Sequence, residues 1–283
     1  MRSVIGVVSD SGCDLSPETQ RQLGLVTVTQ RVLLDGELFR DWLDVTPEQL
    51  NVRLGSSRRA SLEPPSATEF EALYAKMLQV YDLVVSVHST GALSGVIGRA
   101  REAVRAMGVR EQVLIVDSGV TSAPLGEMAR RAVELADDGA GLDELGGEMA
   151  RVREALFTRF VVRDLTHFRR SGAVNHGQEL LGNLLGTRPI LAFQGGQITT
   201  IRTTRPDKAL ETIVHDVAEK FGRTRVRLAL AHVGATRLEI ESLRDLVTKS
   251  SIKMTQARVY QVGACLGVHL GPGAIGIVAY PLS

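Results

Sequence analysis

Cysteine is nearly absent from this chain of 283 residues, which has only Cys13 and Cys265, far apart and each close to an apolar run. Two such positions build no disulfide framework, so two buried thiols in a reducing cytoplasm are expected. No C-x-x-C pair occurs and the six histidines (88, 167, 176, 215, 232, 269) never fall at the short intervals of a zinc site, which argues against metal ligation. An excess of one charge is missing too: 33 Lys and Arg against 32 Asp and Glu leave a net charge of +1, without the basic surplus of a nucleic-acid surface. The opening apolar run is broken by Ser9 and Asp10, so neither a signal peptide nor a membrane span is expected there, and no stable membrane insertion. A G-x-x-x-x-G-K-[ST] phosphate loop is also lacking. Gly271 to Gly276 matches G-x-G-x-x-G literally, but only seven residues follow it and they read as a strand, so this is a turn and not a dinucleotide site.

What is present describes a soluble globular protein: 44% hydrophobic and 23% charged residues, enough chain for one large domain or two ordinary ones. The first half repeats strand, small polar residues, helix. Val4 to Val8 ends in Ser9 and Asp10, and a helix follows with Ser16 as N-cap and Pro17 in its first turn. Leu25 to Leu34 reads as one strand turning through Asp35-Gly36. Thr46-Pro47-Glu48 and Ser66-Ala67-Thr68-Glu69 are helix starts, the second a capping box. Between them Gly55 to Ser66 reads as a proline-stiffened loop. Leu83 to Val87 and Val113 to Val116 are further strands, and Thr121 to Leu135 is helical. Strands alternating with helices predict a parallel sheet covered on its faces, with ligands beyond the carboxyl ends of the strands. Ser9/Asp10, Ser89/Thr90 and Asp117/Ser118 all fall at that edge.

An acidic, glycine-rich stretch from Asp137 to Gly147 and a helix to about Leu156 place a domain boundary near residue 155, dividing 1–155 from 156–283. The second part opens with Phe160 to Val162, Asp164-Leu165 and the basic run His167 to Gly172. Gly182 to Ile190 leads into two alternating segments joined at Gln194-Gly195-Gly196-Gln197, a hairpin. Val226 to Val233 is a strand and Thr236 to Thr248 is helical. Hairpins mixed with helices predict an α+β domain with a largely antiparallel sheet.

The most informative stretch is Asp82 to Ala103, where a strand passes through His88, Ser89, Thr90 and Gly91 into Ser94-Gly95 and a helix. A helix start offers free N–H groups and a positive dipole end, which favour a carboxylate or a phosphate. A serine hydrolase is the rival use of Ser94, with His269 and Asp117 completing a triad, although Ala92 and Val96 stand where a nucleophile elbow has glycines. His269 is a polar ring between glycines inside an apolar run, and a hydrogen-bonded, partly buried histidine is its plainer reading.

SDSGCDL (Ser9 to Leu15), LEPPSATEF (Leu62 to Phe70), HSTGALSG (His88 to Gly95), VDSGVTSAPLG (Val116 to Gly126), RPILAFQGGQI (Arg188 to Ile198) and GVHLGPGAIG (Gly267 to Gly276) run in order over essentially the whole chain. Together they resemble the DegV family of bacterial fatty-acid-binding proteins, which includes the acyl-binding subunit of fatty acid kinase. The resemblance implies a two-domain α/β protein that buries one long acyl chain, such as palmitate, between its domains. It implies a carrier rather than an enzyme, with no cofactor beyond the bound fatty acid and with a separate ATP-using kinase subunit as partner. In such proteins the carboxylate is held by a Thr of a T-S-Q-P-S loop, a Ser of an L-S-G loop and a His of a G-x-H-x-G-P-G turn. Ser94 and His269 match the last two. The threonine's place falls on Leu62 counting from Pro65-Ser66 and on Ser61 counting from Pro64. Thr90, Gly95 and Ser66 would support the site, and Arg169-Arg170 would face the partner. An esterase or acyl-transferase using Ser94, or a module for a non-lipid acid or phosphate, are the alternatives.

Overall fold

The computed structural model describes residues 3–163, 165–171 and 186–282. Asp164, Gly172 and the 182–185 part of the lead into the hairpin lie outside them, as does His176. The chain opens with β1 (Ile5–Asp10), a 3-10 turn, α1 (Pro17–Leu23) and β2 (Val26–Val28). β3 (Arg31–Leu34), β4 (Glu37–Arg40), α2 (Pro47–Ser56) and β5 (Ala60–Glu63) come next. α3 (Ala67–Met77), β6 (Leu83–His88), α4 (Val96–Met107), β7 (Val113–Asp117), α5 (Ala123–Asp137) and α6 (Leu142–Ala155) follow. Then come β8 (Phe157–Val161), α7 (Thr166–Arg170), β9 (Arg188–Gln194), β10 (Gln197–Thr204) and α8 (Ala209–Phe221). The described chain closes with β11 (Arg225–His232), α9 (Arg237–Lys249), β12 (Lys253–Gln261), α10 (Ala264–Leu270) and β13 (Ile275–Pro281).

Three sheets result. A parallel sheet has the order β2-β1-β6-β7, and a six-stranded sheet has the order β10-β9-β8-β13-β11-β12. All neighbours in the second sheet pair antiparallel except β11 with β12. The fold is therefore α/β with two domains, as the strand-helix alternation and the hairpins predict. The hairpin turn falls on Gly195 and Gly196, both at positive φ (57° and 83°), which glycine adopts at little cost. N-caps read from the sequence are in place. Thr46 and Ser66 each accept from the N3 backbone in a full capping box and Ser16 accepts from Thr19 N; Thr236, read as the first helical residue, is also an N-cap with a capping box.

The third sheet, β4-β3-β5, is antiparallel and corrects two expectations. Leu25 to Leu34 is not one strand: β2 belongs to the parallel sheet and β3 to the small one. The chain leaves the first sheet at Gln30, whose backbone N–H donates to Ser11 Oγ at 3.1 Å and whose amide donates to Asp10 Oδ1 at 2.8 Å. Nor is Gly55 to Ser66 all loop, because β5 lies within it. Only Ala60 and Leu62 face inward there, too short an apolar alternation to stand out in the sequence. The helix predicted from Thr121 starts instead at Ala123, after Ser122 at φ 68°. Of the basic run His167 to Gly172, residues 167–170 are helical, within α7.

α5 is the element the two larger sheets share. Ten of its fifteen residues are buried, and the core around it joins Val85 and Val87 of β6 to Ala229 of β11, Tyr260 of β12 and Val278 and Tyr280 of β13. A helix apolar on most sides is one with cover on most sides. Its buried Glu127 accepts from Tyr260 OH at 2.8 Å, from both Arg258 contacts at 3.1 and 3.2 Å, and from Tyr280 OH at 3.4 Å. Among the described residues no helix is long and apolar enough to cross a membrane.

Candidate binding site

Three loops converge on α10, a helix buried along its whole length. Its start is capped from the other half of the chain. Gly263 N donates to Asp14 Oδ1 at 2.9 Å and Ala264 N to Asp41 Oδ1 at 3.0 Å. Both carboxyls are buried, and burial, the largest effect, pushes Asp41 up to about 6 and Asp14 well above its ordinary value, Asp41's proximity adding to the rise at Asp14. Neither residue announces itself in the sequence, although Asp14 stands inside the quoted SDSGCDL. At the far end α10 stops at Gly271, whose φ of 71° and close approach to the His167 ring leave no room for a side chain.

His269, one residue before the end of α10, is 6% exposed, and neither ring nitrogen has a hydrogen-bond partner. Burial pushes it down to about 4, so the ring is neutral near pH 7. Ser94 Oγ is likewise buried and unpartnered. Its loop is a tight turn in which Leu93 N and Ser94 N donate to Thr90 O at 3.2 and 3.3 Å. The turn delivers the chain to α4, whose N-cap Gly95 supplies no side-chain acceptor. Leu93 packs on the cluster containing Leu266 and Leu270 of α10, and a Cβ on Gly95 would lie 3.2 Å from Pro64 Cγ. The Ser94 loop thus bears on both α10 and the Pro64 loop.

Leu62 faces the interior of the third sheet, against the cluster of Leu50, Leu54 and Val268. Ser61 is on the opposite, exposed face of β5. Ser66 is spent as the cap of α3, accepting from Glu69 N. Thr90 Oγ1 donates to Gly196 O at 2.9 Å and ties the hairpin tip to the Ser94 loop. Arg169 and Arg170 are exposed at the end of α7, a helix packed on α10.

The polar strand ends largely satisfy one another. Buried Asp10 accepts from His88 Nδ1 (3.0 Å), Ser89 N (2.8 Å) and Ser89 Oγ (2.7 Å), while His88 Nε2 contacts Ser86 Oγ at 2.6 Å. Burial alone would raise Asp10, but the hydrogen bonds and charge of His88, helped by Ser89, hold it below its ordinary value. The network was missed in the sequence because Asp10 and His88 are 78 residues apart. Asp117 Oδ1 accepts from Gly119 N at 3.0 Å, and no hydrogen bond joins it to Ser94 or His269. A triad of those three is not assembled. Among the described residues no group of His, Cys, Asp and Glu is arranged to hold a metal ion.

Beside α10 a small apolar cavity of about 20 Å³ lies against the six-stranded sheet, walled by Phe160, Phe193, Val262, Leu266, Leu270 and Ile277 among others. Leu270, the neighbour of His269 in the chain, lines it, and Leu93, the neighbour of Ser94, packs on the same apolar cluster.

Comparison with known proteins agrees on one family. A family model described as "Uncharacterised protein, DegV family" matches residues 4–282. A DegV domain-containing protein of Deinococcus radiodurans is 34% identical over 285 residues, with 99% of each chain covered. A DegV family protein from Thermus thermophilus, described for its fatty acid binding, superposes with a TM-score of 0.91 at 32% identity over 100% of both chains. DegV of Bacillus subtilis, described as a fatty acid binding protein, shares the fold with a TM-score of 0.85 at 24% identity, covering 99% of this chain and 100% of that one. With the motifs, both larger sheets and the match from residue 4 to residue 282 in agreement, the chain belongs to the DegV family.

Proposed function

We propose that the protein binds one long-chain fatty acid, with its acyl chain between the 1–155 and 156–283 parts, where the small apolar cavity beside α10 widens to take it, and its carboxylate at Ser94 and His269. The observation that carries this reading is the pair of orphaned polar groups: Ser94 Oγ and both nitrogens of His269 are buried without partners. Buried polar groups are nearly always paired, and each left unpaired costs about 1–3 kcal/mol. A carboxylate accepting from the hydroxyl and from the one ring N–H would satisfy two of these three atoms, while each methylene buried contributes about 0.8 kcal/mol. The fatty acid binding of the Thermus thermophilus relative supports the same ligand class. Of the two positions on which the threonine's place falls, Leu62 faces the cluster that includes Val268 of α10 while Ser61 faces outward, so in this reading neither supplies a third donor.

In this reading the protein is a carrier. It presents the carboxylate to a separate ATP-using kinase subunit, and the phosphoryl chemistry belongs to that partner. Arg169 and Arg170, exposed on the helix that packs against α10, are the basic groups we assign to docking it. Native mass spectrometry of delipidated protein with added palmitate or oleate tests the binding. One acyl chain per protein is the expected result, and no uptake of either acid would overturn the proposal.

A further inference from the structure

The parallel sheet ends on one side at β7, whose outer flank pairs with no described strand. Two hydrogen bonds fix which backbone groups that flank offers. At one end Val84 N donates to Gln112 O, and at the other Ser118 N donates to His88 O. A strand in a parallel ladder turns alternate residues towards one neighbour, so Leu114 and Val116 face β6. The N–H and C=O groups of Val113, Ile115 and Asp117 therefore point away from the sheet. Two of them are used locally: Val113 N donates to Val109 O, and Asp117 O accepts from Arg153 Nη1 at 3.1 Å. The rest, with both groups of Ile115, form an open edge.

Beside that edge lies a groove of about 220 Å³, floored by Val104, Val113 and Ile115 and rimmed by Arg101, Arg105 and Arg110. Arg101, Val104 and Arg105 stand at i, i+3 and i+4 on α4, so they share the side of the helix that overhangs the groove. All three arginines are exposed, and among the described residues none of their guanidinium groups has an ion-pair or hydrogen-bond partner. The nearby carboxylate of Glu102 is taken by Arg99 at 3.0 Å. In a chain of net charge +1, three unpaired guanidinium groups at one groove are a local excess. The groove shares no lining residue with the cavity beside α10. Arg110 also follows the Gly108 end of α4, whereas Ser94 precedes the other end.

We propose that β7 is a docking edge for an extended acidic segment of a partner protein, which adds to the parallel sheet as a further strand. Backbone hydrogen bonds along residues 113–117 hold such a segment, and its alternate side chains lie on the α4 face beneath Arg101 and Arg105. A guanidinium takes a carboxylate through two parallel N–H···O bonds, so acids at every second position fit this rim. A small inorganic anion would use the arginines and leave the strand edge and the apolar floor unused. A second copy of this chain is disfavoured at the same edge, because its own three arginines would meet these. The arginines thus choose the partner, and the backbone edge binds it.

The probe is a fluorescein-labelled ten-residue peptide of alternating Glu and Val, whose glutamates all fall on one face of a strand. Fluorescence anisotropy should show binding that weakens with added salt. Combining Arg101→Glu with Arg105→Glu, both at exposed positions, should weaken it about tenfold or more. Hydrogen–deuterium exchange should slow on binding at the amides of Ile115 and Asp117, and stay unchanged at Leu114 and Val116, which already bond to β6. Ile115→Pro removes one outward N–H and spares that ladder, so it should abolish binding. Should that variant fail to fold, the exchange pattern of the parent protein decides. No binding, binding that survives the double substitution, or unchanged exchange at Ile115 overturns the proposal. So does equal binding of an alternating Glu and Pro peptide or of inorganic triphosphate, which would mark the groove as a general polyanion surface.

Discussion

Ser94 and His269 are legible in the sequence for different reasons. Ser94 sits where a strand breaks into a helix start, and a helix start carries its own physics. His269 drew notice as a polar ring among glycines, but its lack of any partner is a fact of packing that no spacing reveals. Replacing Ser94 with alanine should weaken fatty-acid binding by about 1.5–3 kcal/mol, the worth of one hydrogen bond to a charged group, without lowering the thermal midpoint. Calorimetric titration checks it, and unchanged affinity would remove Ser94 from the site. His269 makes a pH prediction. Held at about 4 against an ordinary 6.5, the folded ring refuses a proton that the unfolded chain accepts between those values. Stability of the ligand-free protein should therefore fall as pH drops from 6.5 towards 4, by about 3 kcal/mol at most. Urea unfolding at pH 4.5 and 7 should show a smaller difference between the two conditions in His269→Leu than in the parent protein.

At the scale of elements, the strands and helices with strong periodicity or good caps were readable, and those built from few apolar residues were not. β5 has two inward residues, and β2 and β3 are separated by Gln30 reaching back to Asp10 and Ser11, 20 and 19 positions away. Such long-range hydrogen bonds overrule local pattern. α10 is the sharper case: its apolar run reads as core, but the acids that fill its amide donors come from residues 14 and 41. Here the sign of the pH effect reverses. Asp41 is pushed up to about 6 from 3.8, so the folded state binds its proton more tightly than the unfolded state does. Its contribution is complete below 3.8 and lost as pH rises through 6. Asp41→Asn keeps the carbonyl acceptor for Ala264 N and should flatten the decline in stability between pH 4 and 7, measured by denaturant titration. An unchanged slope would mean that Asp41 is ionised in the fold.

For the whole molecule, the parallel and antiparallel halves could be foreseen from composition and turns, but the way they join could not. Glu127 lies in a helix that reads as ordinary, and only the fold places Tyr260, Tyr280 and Arg258 around it. Glu127→Ala would leave Arg258, whose side chain is 23% exposed, facing a buried gap. A loss of about 3 kcal/mol is expected, at the low end for breaking a buried pair because Arg258 retains some water. Guanidinium unfolding measures it, and a loss below about 1 kcal/mol would show that the two halves are held by packing alone.

α5 also constrains how the protein is made. Emerging from the ribosome, residues 123–137 have the parallel strands to lie on, yet the opposite side of the helix awaits a sheet that begins only at residue 157. Within that sheet β13 is an interior strand, between β8 and β11, and its residues 275–281 follow the sheet's other described strands in the chain. Neither flank can be joined before they arrive. Nascent chains short of that point therefore carry an uncovered apolar stripe with an unpaired Glu127 in it, a surface that holdase chaperones bind. Removing the codons for 275–281 should send the product to proteolysis rather than yield a smaller, folded protein.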